Sequence, residues 1–223
     1  MNVKTKLLDE LINSSEPPEI IEDYDLILDS GASNGGFLIG CLLYLKRLEN
    51  KNYINIKKIS GSSVGSICGF CYICNKLELY CELYNESRNE ILNHLNLKYS
   101  MQILTTFIQQ QKKDFYKQFN DKLYVTAFNV NTKSDCVFHN YTSNNDLLSK
   151  LLYSTYIPFF SNDTFTRDGY IDAFLPHFFQ HNNYNILFLN LTTAKKIFYS
   201  FNLSEKNTSF KTMSGLLDIH LFY

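Results

Sequence analysis

The stretch Ile56-Lys57-Lys58-Ile59-Ser60-Gly61-Ser62-Ser63-Val64-Gly65-Ser66 sets a short apolar run against a turn of glycines and serines. Ile56 to Ser60 is too short for a helix and suits a strand, Gly61 to Gly65 is a tight turn, and Ser66 to Tyr84 continues as a largely apolar helix. The same order stands immediately upstream. Asp25 to Asp29, with Leu26, Ile27 and Leu28, predicts a buried strand. It empties into the small-residue loop Ser30-Gly31-Ala32-Ser33-Asn34-Gly35-Gly36, and Phe37 to Leu48 repeats apolar residues at helical spacing. Two consecutive strand–turn–helix units predict an α/β fold with a parallel sheet and right-handed crossovers.

Outward from these units, Met1 to Ile12 has the pattern of an amphipathic helix, closed by Ser14-Ser15-Glu16-Pro17-Pro18. This divides an N-terminal helix and linker, 1–23, from a domain over 24–223. Glu86 to Phe119 is polar at helical spacing without glycine, as in surface helices or a lid. Lys122 to Val130 alternates like a strand, and Cys136 to Asn140 can pair with it across Asn131-Thr132-Lys133-Ser134. A helix over Asp146 to Tyr153, strands over Tyr184 to Leu191 and Lys196 to Leu203, and a helix over Met213 to Phe222 complete the expected elements.

At 223 residues, with 45% hydrophobic and 19% charged residues, the chain can bury a sizeable core. A net charge of −1 gives no electrostatic case for nucleic acid. No apolar run is long enough for a transmembrane segment, and charged residues in Met1 to Ile12 do not fit a secretory signal, so a cytoplasmic location is expected. Cys68, Cys71 and Cys74 are spaced as CxxCxxC but lack a second CxxC or an HxxxH partner. On a helix they share one face, so buried thiols are expected and no metal or cofactor.

Three stretches carry chemistry. Gly61-Ser62-Ser63-Val64-Gly65 is a GxSxG between strand and helix: the turn exposes Ser63, the glycines allow close approach, and the helix N-terminus favours negative charge. The loop from Ser30 to Gly36 can turn backbone N–H groups towards an anion. As a dinucleotide fingerprint it fails, because Ser33 stands at the third glycine and no ribose-binding acid follows. It remains an oxyanion hole or a loop packed with small residues. The third stretch is Arg167-Asp168-Gly169-Tyr170-Ile171-Asp172, with Pro176 eight residues after Asp168. Asp-Gly by itself is a common turn.

In combination and order, these motifs resemble the patatin-like phospholipase family, over roughly Tyr24 to Leu191. Ile59 to Ser66 is similar to that family's nucleophile elbow, Leu123 to Phe138 to its strand–turn–strand stretch, and Tyr153 to Phe160 to the segment before its catalytic acid. Asp168-Gly169 resembles its Asp-Gly-Gly/Ala motif. Ser30 and Ala32 stand where the family has glycines, Asn34 where a basic residue is common, and Tyr170 where a small residue is usual.

The resemblance implies a three-layer α/β/α sandwich with a mainly parallel central sheet. It further implies a lipid acyl hydrolase that acts on phospholipid or glyceride esters through a Ser63–Asp168 dyad and an acyl-serine. The oxyanion would be held by backbone N–H groups of Gly31, Ala32 and Val64, and Gly35, Gly36, Gly61, Gly65 and Gly169 would be motif glycines. Peripheral contact with a lipid surface would accompany that activity. Two other readings stand beside it. One is a Ser-Asp-His triad esterase using His177, His181 or His220. The other is an inactive relative that binds lipid or a partner.

Overall fold

A computed structural model describes residues 3–14, 17–94, 97, 100–180, 184–191 and 208–223. Its centre is a mixed, mostly parallel sheet flanked by helices. The elements are α1 (Val3–Ser14), β1 (Glu22–Leu28), α2 (Gly35–Asn50), β2 (Ile54–Ser62), α3 (Val64–Ile73), α4 (Leu77–His94), α5 (Ser100–Gln109), β3 (Leu123–Asn129), β4 (Ser134–Phe138), α6 (Asn144–Ser154), β5 (Tyr170–Asp172), β6 (Asn185–Leu189) and α7 (Thr208–Phe222).

The strand order is β4-β3-β2-β1-β6, with β5 also paired to β3. β1 runs parallel to both β2 and β6, and β2 runs parallel to β3. The four parallel strands therefore end on one edge of the sheet, where open α/β sheets form their crevice. β1 is buried on both faces: Leu26 and Leu28 join the main core cluster, and Ile27 points to the other side. α3 is apolar around its circumference and buried from Val64 to Tyr72, as such a helix must be. α1 buries Leu8 and Ile12 in the same core.

The helix expected from Ser66 to Tyr84 is two helices. Asn75 takes a left-handed φ of 56°. The Lys76 amide donates to Cys71 O at 2.8 Å and the Asn75 amide to Tyr72 O at 3.1 Å. This is a Schellman closure, and asparagine tolerates the left-handed position second only to glycine. Cys68 and Cys71 are fully buried in α3, and burial pushes both thiols well above their ordinary pKa. Among the described residues, no three His, Cys, Asp or Glu side chains are grouped to hold a metal ion. Among them, too, no helix is long and apolar enough to cross a membrane.

The β3–β4 hairpin expected across residues 131–134 is present, with Val125 opposite Phe138 and Asn129 opposite Ser134. The strand expected over Lys196 to Leu203 lies outside the described residues. β5, three residues long, was not expected and bears directly on the site.

Candidate active site

Ser63 sits where β2 gives way to α3. Its backbone has φ 51° and ψ −128°, a conformation costing about 1–3 kcal/mol for a residue with a side chain. Three hydrogen bonds hold it there. The Ser63 amide donates to Ser154 Oγ at 3.0 Å, and Ser63 O accepts from the Ser66 amide at 3.0 Å and from Ser66 Oγ at 2.7 Å.

The flanking glycines are required by space. A Cβ on Gly61 would lie 2.5 Å from the Gly65 carbonyl carbon, and one on Gly65 would lie 2.4 Å from Leu28 O. The helix can start this close to β1 and β2 only without those side chains. Ser63 thereby caps α3, whose first amides, including that of Val64, have no intrahelical acceptor. Negative charge developing beside Ser63 meets the positive end of that helix.

The Ser63 hydroxyl donates to Asp172 Oδ2 at 2.7 Å. Strand register explains the pairing. β2 lies along one edge of β3 as far as Ser62 opposite Thr126. β5 then takes over, antiparallel, with Asp172 opposite Ala127. Since β4 occupies the other edge of β3, β2 and β5 meet end to end, and the residue after Ser62 adjoins Asp172. Asp172 Oδ1 is buried with no hydrogen-bond partner among the described residues. Burial pushes the carboxyl up to about 7, outweighing the Ser63 hydroxyl and the Ala173 amide, which both lower it.

Asp168, expected as the partner of Ser63, is placed elsewhere. Asp168 and Gly169 have φ 54° and 84° and join Arg167 to Tyr170 through a reciprocal pair of backbone hydrogen bonds, 3.0 and 2.9 Å. Positive φ at both central residues is what a type I′ hairpin turn demands, and Asp-Gly is among its preferred pairs. The Asp168 carboxylate accepts from Tyr153 Oη at 2.9 Å. Tyr170 stacks on Tyr153 with ring centroids 4.6 Å apart and does not line the cavity beside Ser63.

On the other side of Ser63, the loop after β1 makes a 3-10 turn over Ala32–Asn34. Ala32 takes φ 43°, the left-handed conformation that glycine would adopt freely and that costs alanine about 1–2 kcal/mol. Ala32 and Val64 face the same cavity as Ser63. Gly31 lies against Leu191, where a Cβ would come within 2.7 Å of Cδ1. Gly35 lies against Tyr80 and Val64, and Gly36 is buried in the first turn of α2. The Leu191 amide donates to Asp29 Oδ2 at 2.9 Å, tying the end of β6 to this loop.

The cavity holds about 370 Å³ and runs from Ser63 between α3, α4, α5 and the segment after α6. Ile67, Leu83, Ile91, Leu104 and Phe160 make its walls chiefly apolar, with Arg88 the charged residue along them. The polar segment expected as surface helices or a lid is thus, in α4 and α5, a wall of this cavity. Its size falls in the usual range for ligand pockets.

Of the candidate histidines, His177 stacks on Tyr124 at 5.9 Å, and burial, with His139 and Lys58 nearby, lowers its pKa. His220 Nδ1 bonds Tyr44 Oη at 2.9 Å. His181 lies outside the described residues.

Sequence reasoning did not single out Asp172 and Ser154, two residues whose side chains hydrogen-bond Ser63. The signal for Asp172 was the I′ turn itself, because Asp-Gly at a hairpin tip sends the following residues into a strand. Nothing local marked Ser154 at the end of α6. Neither protein-family models nor curated protein sequences give a match to this chain.

Proposed function

We propose that the chain is a patatin-like lipid acyl hydrolase that cleaves fatty-acyl esters through a Ser63–Asp172 dyad. The observation that carries this reading is the 2.7 Å hydrogen bond from Ser63 Oγ to a buried carboxylate at the head of an apolar cavity. The cavity takes the acyl chain and brings its ester carbon to Ser63 Oγ. Ionised Asp172 accepts the serine proton as Oγ adds to the carbonyl. The new oxyanion is held by backbone N–H groups of Ala32 and Val64, with Gly31 beside them; each such donor is worth about 10²–10³ in rate. Asp172 returns the proton to the leaving alcohol, then deprotonates the water that attacks the acyl-serine, and gives that proton to Ser63 Oγ as the bond from Oγ to the acyl carbon breaks and the fatty acid leaves. A pKa near 7 suits a group that works as base and acid in turn.

The test is hydrolysis of a short-chain chromogenic ester together with labelling by a fluorophosphonate. Wild type should hydrolyse and be labelled, and Ser63→Ala should do neither. Equal labelling of the two proteins sinks the assignment. A folded wild type that neither turns over nor labels would leave the cavity as a lipid-binding pocket.

A further inference from the structure

We infer that the C-terminal end of α6 is the brace that sets Ser63 against Asp172, with Ser154 as its positioning residue. This brace serves the proposed dyad and so rests on the hydrolase reading, but its geometry and its first readout need no turnover.

The need for a brace comes from the backbone of Ser63. Pairing of β2 with β3 ends at Ser62, and the positive φ of the next residue turns its amide out of the ladder. A backbone N–H in such a partly buried turn needs an acceptor. The Ser63 carbonyl is served by α3 itself, through Ser66. The amide is served from 91 residues away, by Ser154 Oγ at 3.0 Å. Ser154 is fully buried and ends α6. A serine or threonine in that place ordinarily bonds a carbonyl of its own helix, as Thr155 Oγ1 does with Leu151 O at 3.0 Å. Ser154 turns its oxygen, as an acceptor, to a distant amide. It meets the Ser63 amide and not the hydroxyl, so it takes no part in proton transfer.

The neighbours of Ser154 hold the other half of the pair. Tyr156 O accepts from the Asp172 amide at 2.9 Å. Tyr153 Oη donates to Asp168, at the turn that leads into β5. Tyr156 is itself anchored, its hydroxyl donating to Thr164 O at 2.9 Å. Consecutive residues from 153 to 156 thus fix the backbone of Ser63, the backbone of Asp172 and the turn from which Asp172 extends. Thr155, between the two dyad contacts, lines the cavity. Ser63 Oγ reaches Asp172 Oδ2 at 2.7 Å because both backbones are tied to one short segment. Without the Ser154 oxygen, the costly φ of Ser63 loses its tie outside α3 and relaxes, which swings Oγ off the carboxylate.

The experiment reads Asp172 directly, by the pH midpoint of its carboxyl carbon resonance, identified by its loss in Asp172→Asn. Burial raises this carboxyl and the Ser63 hydroxyl lowers it, so Ser63→Ala should move the midpoint up. Ser154→Ala should move it up as well. The double variant should go no higher than Ser63→Ala, because Ser154 acts through Ser63. Fluorophosphonate labelling of Ser154→Ala should be about 100-fold slower than that of wild type, the cost of displacing a reacting atom by about 1 Å. Ser154→Cys keeps the volume with a poor acceptor, and it carries the same readings if the alanine variant does not fold. An Asp172 midpoint unmoved by Ser154→Ala overturns the inference. An equal rise with and without Ser63 Oγ also overturns it, since that marks a general loosening of the site. So does a variant that labels as fast as a reactive wild type. If wild type neither labels nor turns over while the midpoints follow the cycle, the hydrolase reading fails and the brace stands.

Discussion

Asp172 gains its proton affinity from burial, and two opposite pH dependences follow. The proposed mechanism needs the ionised form, so kcat/KM should rise with pH through about 7. Stability runs the other way. The folded pKa is raised above the ordinary 3.8, so the native state binds the proton more tightly than the unfolded chain. The stabilising contribution is complete below about 4 and is lost as pH rises to about 7, on the order of 4 kcal/mol over that window. Asp172→Asn removes the titration. Its unfolding free energy relative to wild type should therefore climb between those pH values and level off above them, as denaturant titrations at a series of pH values would record. The same substitution should cost about 10³-fold or more in kcat/KM, because Asn cannot take the serine proton. Asp168→Asn should stay within about threefold, since Asn suits the type I′ turn equally well. If Asp168→Asn proved the dead variant and Asp172→Asn the active one, the dyad would have to be redrawn.

At the scale of elements, the site depends on how closely α3 approaches β1. Gly65→Ala places a methyl group 2.4 Å from Leu28 O and 2.7 Å from Asp29 O, both backbone atoms that cannot step aside. We expect a loss of about 3 kcal/mol or more, read as a lowered urea midpoint. This junction was legible in the sequence because three signals coincide over Ile56 to Ser66: a short apolar run, a glycine-bounded turn, and the start of an apolar helix. The first unit was legible for the same reason, and so was the β3–β4 hairpin. The acid was not. Asp168-Gly169 carries a local signal, a hairpin turn, that sequence cannot separate from a catalytic motif. The position of Asp172 beside Ser63 arises only from sheet register, with Ala127 opposite Asp172 and Thr126 opposite Ser62. The cavity walls were equally hidden, because α4 is a polar helix on average and its buried stripe acquires meaning only against α3 and α5.

Across the whole molecule, α2 and α7 make the most extensive contact between any two elements among the described residues. They meet at glycines on both sides. A Cβ on Gly40 would lie 1.9 Å from Thr212 O, and one on Gly215 would lie 2.0 Å from Phe37 O. Gly215→Ala should force the helices apart, cost about 3 kcal/mol, and depress turnover although residue 215 does not line the cavity, since α2 carries the loop with Ala32 at its N-terminus. Thermal unfolding and ester hydrolysis on the one variant would check both effects. The α2–α7 contact also has a bearing on biosynthesis. On the ribosome, β1, α2, β2 and α3 emerge early and can begin to pair, but the face of α2 that α7 covers stays bare until residues 208–222 have left the exit tunnel. The serine elbow is made in the first third of the chain. The loop opposite it gains its support only once residues 208–222 have been made and packed, so the two sides of the proposed site mature at different times.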